Sequence, residues 1–255
     1  MGIKAFSPEY QEAIYAVYGY VRVADEIVDS FHDFDKKYLL KKFREDTVEA
    51  INTGISTNPI IQSFQEVVNT YNIQWELIDK FLISMEMDLS ESSYDRDNYD
   101  DYIFGSAEAV GLMCLKVFVG GSQERYDELE YSARMLGSAF QKVNFLRDIK
   151  SDIDERGRIY LPGVHNVELI NDANKKRLEA EVDKEFDEAL IGIMKLPIGV
   201  KLGVYSAYLY YRVLFNKIKR LDVDTLLKKR VRISNAKKLG LLLKSIVEVK
   251  VLKLT

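Results

Sequence analysis

The stretch YGYVRVADEIVD, residues 18–29, sets four charged side chains into an otherwise apolar run. Tyr15, Tyr18, Arg22, Asp25 and Asp29 follow one another at intervals of three and four, which puts them on one face of a helix. Ile14, Val17, Val21, Ala24, Ile27 and Val28 occupy the flanking faces, so the helix is expected to be central, with apolar neighbours on most sides. A second stripe has the same form. Gly137, Gln141, Asn144, Asp148 and Asp152 recur every three or four residues on a body of Leu136, Phe140, Val143, Leu146 and Ile149, with Arg147 alongside. Burying carboxylates without partners is costly, and their hard oxygens suit Mg²⁺. If the stripes face each other across a cavity, Mg²⁺ held there would bind a phosphate or diphosphate and assist its departure. One Asp-x-x-x-Asp pair is ordinarily a solvated helix face. Two pairs, each aligned with Arg, Asn, Gln or Tyr, leave the solvated face and the metal site about evenly matched on spacing alone.

These stripes need long helices, and the chain supplies them. Helical periodicity dominates, strand-like alternation is absent, and there are four prolines. Ser7-Pro8 reads as the cap and first position of a helix reaching about residue 30. Further helices are expected over 35–52, 60–71, 74–91, 99–118, 123–154, 166–196, 198–219 and 235–252, with NTGISTNP ending the second. ERGRIYLPG is expected to be a loop carrying Arg156, Arg158 and Tyr160. No repeat or linker composition interrupts the pattern, so the expectation is one all-α domain.

The bulk numbers narrow the partners. The chain has 255 residues and a formal net charge of −4, which argues against nucleic acid. The lone Cys114 excludes an intramolecular disulfide and a cysteine-based zinc site, and in its apolar run it reads as a buried structural thiol. A reducing cytoplasm fits. No signal peptide or spanning run is visible, which leaves peripheral contact with a membrane as the form an association would take. His32 and His165 read as surface residues, residues 95–101 as an acidic, solvated helix start, and the basic residues 226–238 as a solvated face or one turned to anionic lipid. Nothing in the sequence sets an oligomeric state.

Read with SMEMDL (84–89), YIFGSAEAVG (102–111) and the trailing DERGRIYLP, the two aspartate stretches resemble the signatures of the phytoene/squalene synthase family. The GRIYLP ending is more similar to bacterial phytoene synthases. The likeness is clear over residues 2–163 and weaker beyond. It implies an all-α single-domain helical bundle with a central cavity, the class I isoprenoid synthase fold. It further implies that Asp25, Asp29, Asp148 and Asp152 bind Mg²⁺, replaceable by Mn²⁺, and diphosphate, with Asn144 and Gln141 assisting. By the same resemblance Arg22 and Arg147 contact diphosphate or orient carboxylates, and Tyr18 and Tyr102 lie near the reacting carbons or the leaving group. Arg158 and Tyr160 then stand on a loop covering the site, Tyr210 and Arg230 near the diphosphate, and Ala107, Val110 and Gly111 make room for prenyl tails. The implied substrates are two prenyl diphosphates, joined head to head through a cyclopropylcarbinyl diphosphate. Phytoene formation from geranylgeranyl diphosphate ends in proton loss and needs no NADPH, whereas squalene formation from farnesyl diphosphate does. A sibling squalene or dehydrosqualene synthase and a non-catalytic helical scaffold are the rival readings. Family members open with a helix ending in a Ser-Phe-Ser-like motif, and this sequence starts about where that motif ends. The expectation is therefore a domain over 1–255 lacking that first helix.

Overall fold

In the structure, a computed structural model describing residues 2–251, the predicted helices form in the predicted order. Helix α1 (Pro8–Asp29) has proline in its first turn, but the Ser7 side chain makes no capping bond. Helix α2 (Lys36–Thr53) is capped by Asp35, which accepts from the Tyr38 amide, and ends at Gly54 with φ +76°, a left-handed position where a side chain would be strained. Helices α3 (Pro59–Tyr71) and α4 (Trp75–Ser90) follow. Helix α5 (Arg96–Ile103) passes through a π turn (Phe104–Glu108) into α6 (Ala109–Phe118). Helix α7 (Gln123–Arg156) has 34 residues, about 50 Å of length. Then come α8 (Asp172–Lys195), α9 (Ile198–Ile218), α10 (Val223–Lys228) and α11 (Asn235–Ile246). Among the described residues there is no strand, only a parallel bridge between Ser93 and Ile159.

Five boundaries differ from the sequence reading, the last being the helix expected over 235–252, which is α-helical to Ile246 and then a π turn (Val247–Val251). The expected helix over 99–118 starts at Arg96, because Asp95 accepts from the Asn98 amide, and it bulges at the π turn. There Gly105 lies against α4, where a Cβ would fall 2.3 Å from the Lys80 carbonyl oxygen. Residues 166–171 are not in α8; they form a short 3₁₀ turn (Val167–Leu169) and the Asn171–Asn174 capping box. The six-residue α10 was not expected, and Asp222 caps it. Helix α7 continues to Arg156, so that arginine is helical, and Gly157 at φ +65° ends the helix. Residue 252 lies outside the described residues.

Two apolar clusters fill the bundle. One gathers α1, α3, α4 and α6 around Tyr20, Phe64 and Phe81; the other gathers α7, α8 and α9 around Phe186, Tyr208 and Phe215. Tyr20 stacks on Phe64 with ring centroids 3.8 Å apart and donates to Thr47 Oγ1. Helix α7 is tied to α8 by buried Lys142, which donates to Glu181 and Glu185, while Ser138 donates to Glu185. It approaches the π turn closely because residue 137 is glycine: a Cβ there would lie 2.8 Å from the Ala107 carbonyl oxygen. The apolar side of α1 is buried as expected, but the helix is not enclosed. Tyr18 is 58% exposed and Tyr15 45%, so the start of the polar stripe faces solvent.

Candidate active site

The two aspartate stripes meet at one end of the bundle, with arginines between them. Arg156 of α7 donates to Asp29 on α1 (3.3 Å) and to Asp152 (3.1 Å), bridging the two helices. Arg158 donates to Asp29 from the following loop, also at 3.3 Å. Asp148 accepts from its neighbour Arg147 and pairs with Arg230, whose Nε lies 2.6 Å from Oδ1. Asp25 accepts from Arg22 at 2.9 Å, and Arg22 also pairs with Glu26. Arg230 arrives on the connector between α10 and α11, far along the chain.

Burial shifts the titration of two of these carboxylates, Asp25 and Asp152. Burial raises Asp25 above the ordinary carboxylate value, and the charges of Asp29 and Asp88 add to that. Burial pushes Asp152 up to about 7, with the nearby charges of Asp148 and Asp29 also raising it and Arg156 opposing. Burial and neighbouring carboxylates thus disfavour the charged forms of Asp25 and Asp152 even with arginines close by, and a bound cation would offset that. Among the described residues no three His, Cys, Asp or Glu side chains converge as a ligand group. The carboxylates stand as one pair on each wall. Mg²⁺ needs no larger protein cage, because it commonly takes one or two carboxylates and completes its shell with phosphate oxygens and water. The donor chemistry therefore fits that ion.

Behind this mouth lies an apolar cavity of about 430 Å³. Gln141 and Asn144 stand on its lining, and Tyr211 donates to Asn144 at 3.1 Å. Ala107, Val110 and Gly111 also line it, as read from sequence, and so does Cys114, whose thiol is pushed up to about 12 by burial. Along α7 the lining extends from Asn144 back to Leu129, about 22 Å at the helical rise. The small residues thus do two things at once. Gly137 permits close packing and leaves room beside it.

Beneath the mouth sits a residue the sequence reading did not single out. Asp88, the second acidic residue of SMEMDL, accepts from the hydroxyls of Tyr160 (2.8 Å), Tyr102 (2.9 Å) and Tyr94 (3.2 Å). Arg158 donates to its backbone carbonyl at 2.7 Å. Burial, reinforced by the charge of Asp88, holds the three phenols above their ordinary value, so they remain donors. Its signal in the sequence was weak, one of four acids on the same helix. Tyr102 accordingly packs under the carboxylate site rather than on the cavity wall. Arg158 and Tyr160 are also buried, with Tyr160 stacked on Phe145 at 4.2 Å, so this loop is packed down as the floor of the mouth. Tyr210 lies outside the main cavity, in a cleft beside α11; its neighbour Tyr211 is the tyrosine that faces inward. Tyr18 stands at the open edge.

An all-α bundle with an apolar chamber next to two facing Asp-x-x-x-Asp helices has the class I isoprenoid synthase fold. Solved structures with the same fold agree. A dehydrosqualene synthase solved with a ligand superposes with a TM-score of 0.81 over 98% of this chain and 90% of that one, at 20% identity. The squalene synthase HpnC from Alicyclobacillus acidocaldarius gives 0.69 over 81% of each chain, at 22% identity. The squalene/phytoene synthase family description matches residues 1–237, and the chain belongs to that family. Curated relatives include phytoene synthase 1 of Solanum lycopersicum, 27% identical over 94% of this chain, and a phytoene synthase of Arthrospira platensis, 26% identical over 84%. The chain spans 62% of the length of the tomato protein and 77% of the Arthrospira one.

Proposed function

We propose that this protein is a prenyltransferase that condenses two geranylgeranyl diphosphates head to head into phytoene. The observation that carries the reading is the chamber's length behind a charged mouth. A geranylgeranyl chain is roughly 20 Å long when extended, at about 1.25 Å per carbon–carbon bond along its axis, and the wall along α7 is of that order.

In this reading Asp25 and Asp29 on one wall, and Asp148 and Asp152 on the other, would hold Mg²⁺. When bound, that ion supplies the positive charge that assists diphosphate departure. Arg22, Arg147, Arg156 and Arg230 would turn from the carboxylates to the diphosphate oxygens as substrate enters, because guanidinium groups bind phosphate in a bidentate way. Asn144 and Gln141 stand where mouth becomes chamber and would orient the substrate's head. Asp88 keeps the phenols of Tyr102 and Tyr160 and the Arg158 guanidinium in place. The apolar walls exclude water from the cationic intermediates. Both clusters of the bundle contribute to the mouth, so the chain would work as one catalytic domain.

The structural neighbours support a second reading, in which farnesyl diphosphate is the substrate and squalene or dehydrosqualene the product. A product assay separates the two. The protein is incubated with Mg²⁺ and either geranylgeranyl or farnesyl diphosphate, without NADPH, and the hydrocarbon is identified. A forty-carbon product from the longer substrate is expected. A thirty-carbon product alone would move the assignment to the sibling reaction, and no product from either, in protein that binds neither diphosphate, would leave a scaffold.

A further inference from the structure

Helix α11 and the π turn that continues it (Val247–Val251) carry a second set of features that the catalytic reading does not use. Leu239, Leu243 and Val247 are spaced by four and are 49%, 56% and 48% exposed, a continuous apolar ridge facing solvent. The opposite side of the helix is packed: Ser245 lies 2.6 Å from Ser206 of α9, and Glu248 accepts from Tyr205. The ridge is thus not a core face left uncovered by a misfit, since α11 already has its core contacts.

Lysines flank it. Lys237, Lys244 and Lys250 are exposed alongside the ridge. At the N-terminal end of the helix, Lys237 joins Lys217, Arg220 and Arg232 in lining an open groove with no acidic side chain in its wall. This basic concentration stands on a chain whose formal net charge is −4. Just behind the ridge, Leu241 and Leu242 line a cleft that shares Gly203 and Ala207 with the main chamber.

We propose that α11 is a docking surface for an anionic lipid bilayer. A helix with an apolar ridge and a lysine border lies in the plane of a headgroup region, with the leucines inserted and the lysine stems reaching up to lipid phosphates. Charge complementarity selects lipid over a second copy of this chain. A two-fold contact through the ridge would set the same lysines against each other, whereas a surface of anionic lipid attracts all of them. Docking by this face puts the chamber one helix away from the bilayer. The surface does not depend on the catalytic assignment, and its test involves no turnover.

The test is co-sedimentation of the full chain with phosphatidylcholine vesicles prepared with and without phosphatidylglycerol. Binding is expected only with phosphatidylglycerol, and high salt should weaken it. The double variant Leu239→Ser/Leu243→Ser should lower partitioning by about tenfold or more. Lys237→Glu/Lys250→Glu should lower it several-fold, and Ile55→Ser, an exposed apolar residue on the α2–α3 connection, should leave it unchanged. Far-UV circular dichroism checks that each variant is folded. Equal binding to both vesicle types, no binding to either, or a folded double variant that binds like the parent would each overturn the proposal. So would a concentration-dependent dimer that the leucine variant abolishes, since the ridge would then be a self-association face.

Discussion

At the residue scale the mouth is a set of carboxylates held by arginines in anticipation of something else. Replacing Asp25 or Asp148 with asparagine keeps the shape and removes the charge. Each variant is expected to lose turnover by at least about a thousandfold while retaining its helical content, measured by product formation and far-UV circular dichroism. Asp88→Asn acts differently, because it leaves three buried hydroxyls sharing a weaker acceptor and removes the negative charge 3.6 Å from Arg158. It should cost about 1–3 kcal/mol of stability, read by denaturant unfolding, and should lower kcat more than it raises KM.

Asp152 gives a pH dependence whose sign can be worked out. Its folded value of about 7 lies above the roughly 3.9 of an unfolded aspartate. Between those values the folded state holds a proton that the unfolded state releases, so stability falls as pH rises through that window and stays reduced above it. Asp152→Asn removes this effect. In metal-free buffer with a chelator, the variant should melt several degrees higher than the parent at pH 8, and the difference should vanish near pH 4. Equal melting temperatures at pH 8 would refute the burial argument.

At the element scale the architecture depends on where two helices come closest. Helix α7 meets the π turn at Gly137, where a Cβ would be 2.8 Å from a backbone oxygen that cannot step aside. Gly137→Ala should therefore destabilise by about 1–3 kcal/mol through overpacking, against the usual gain of alanine over glycine inside a helix. A thermal melt decides, since an increase in melting temperature would mean the π turn yields. The same bulge explains why periodicity alone read residues 99–118 as a single regular helix. A π turn keeps the helical run and its composition, and only the packed α4 backbone reveals the extra residue.

At the scale of the whole molecule, the proposed choice of substrate rests on the chamber's length. Ala133 lies on the α7 wall, eleven residues before Asn144, about 16 Å from it along the helix. Ala133→Phe should close the far end, leaving room for a farnesyl but not a geranylgeranyl chain. The ratio of kcat/KM for the longer over the shorter substrate should fall by about tenfold or more. An unchanged ratio would mean the tails run elsewhere.

The sequence by itself determined the helical class, the order of the long helices and the two aspartate stripes. Those features follow from local spacing: a period of 3.6 residues puts Asp25 with Asp29, and Asp148 with Asp152, whatever surrounds them. The resemblance to the family also rested on such local stretches. Only the tertiary structure decided which partners those side chains meet. That Arg156 bridges Asp29 and Asp152, and that Arg230 reaches Asp148, depends on contacts 127 and 82 residues apart in the chain. The exposure of Tyr18, the inward turn of Tyr211 in place of Tyr210, and the burial of Asp88 under three tyrosines were decided in the same way. Helical periodicity says which residues share a face, but what that face looks at is settled by how the helices pack.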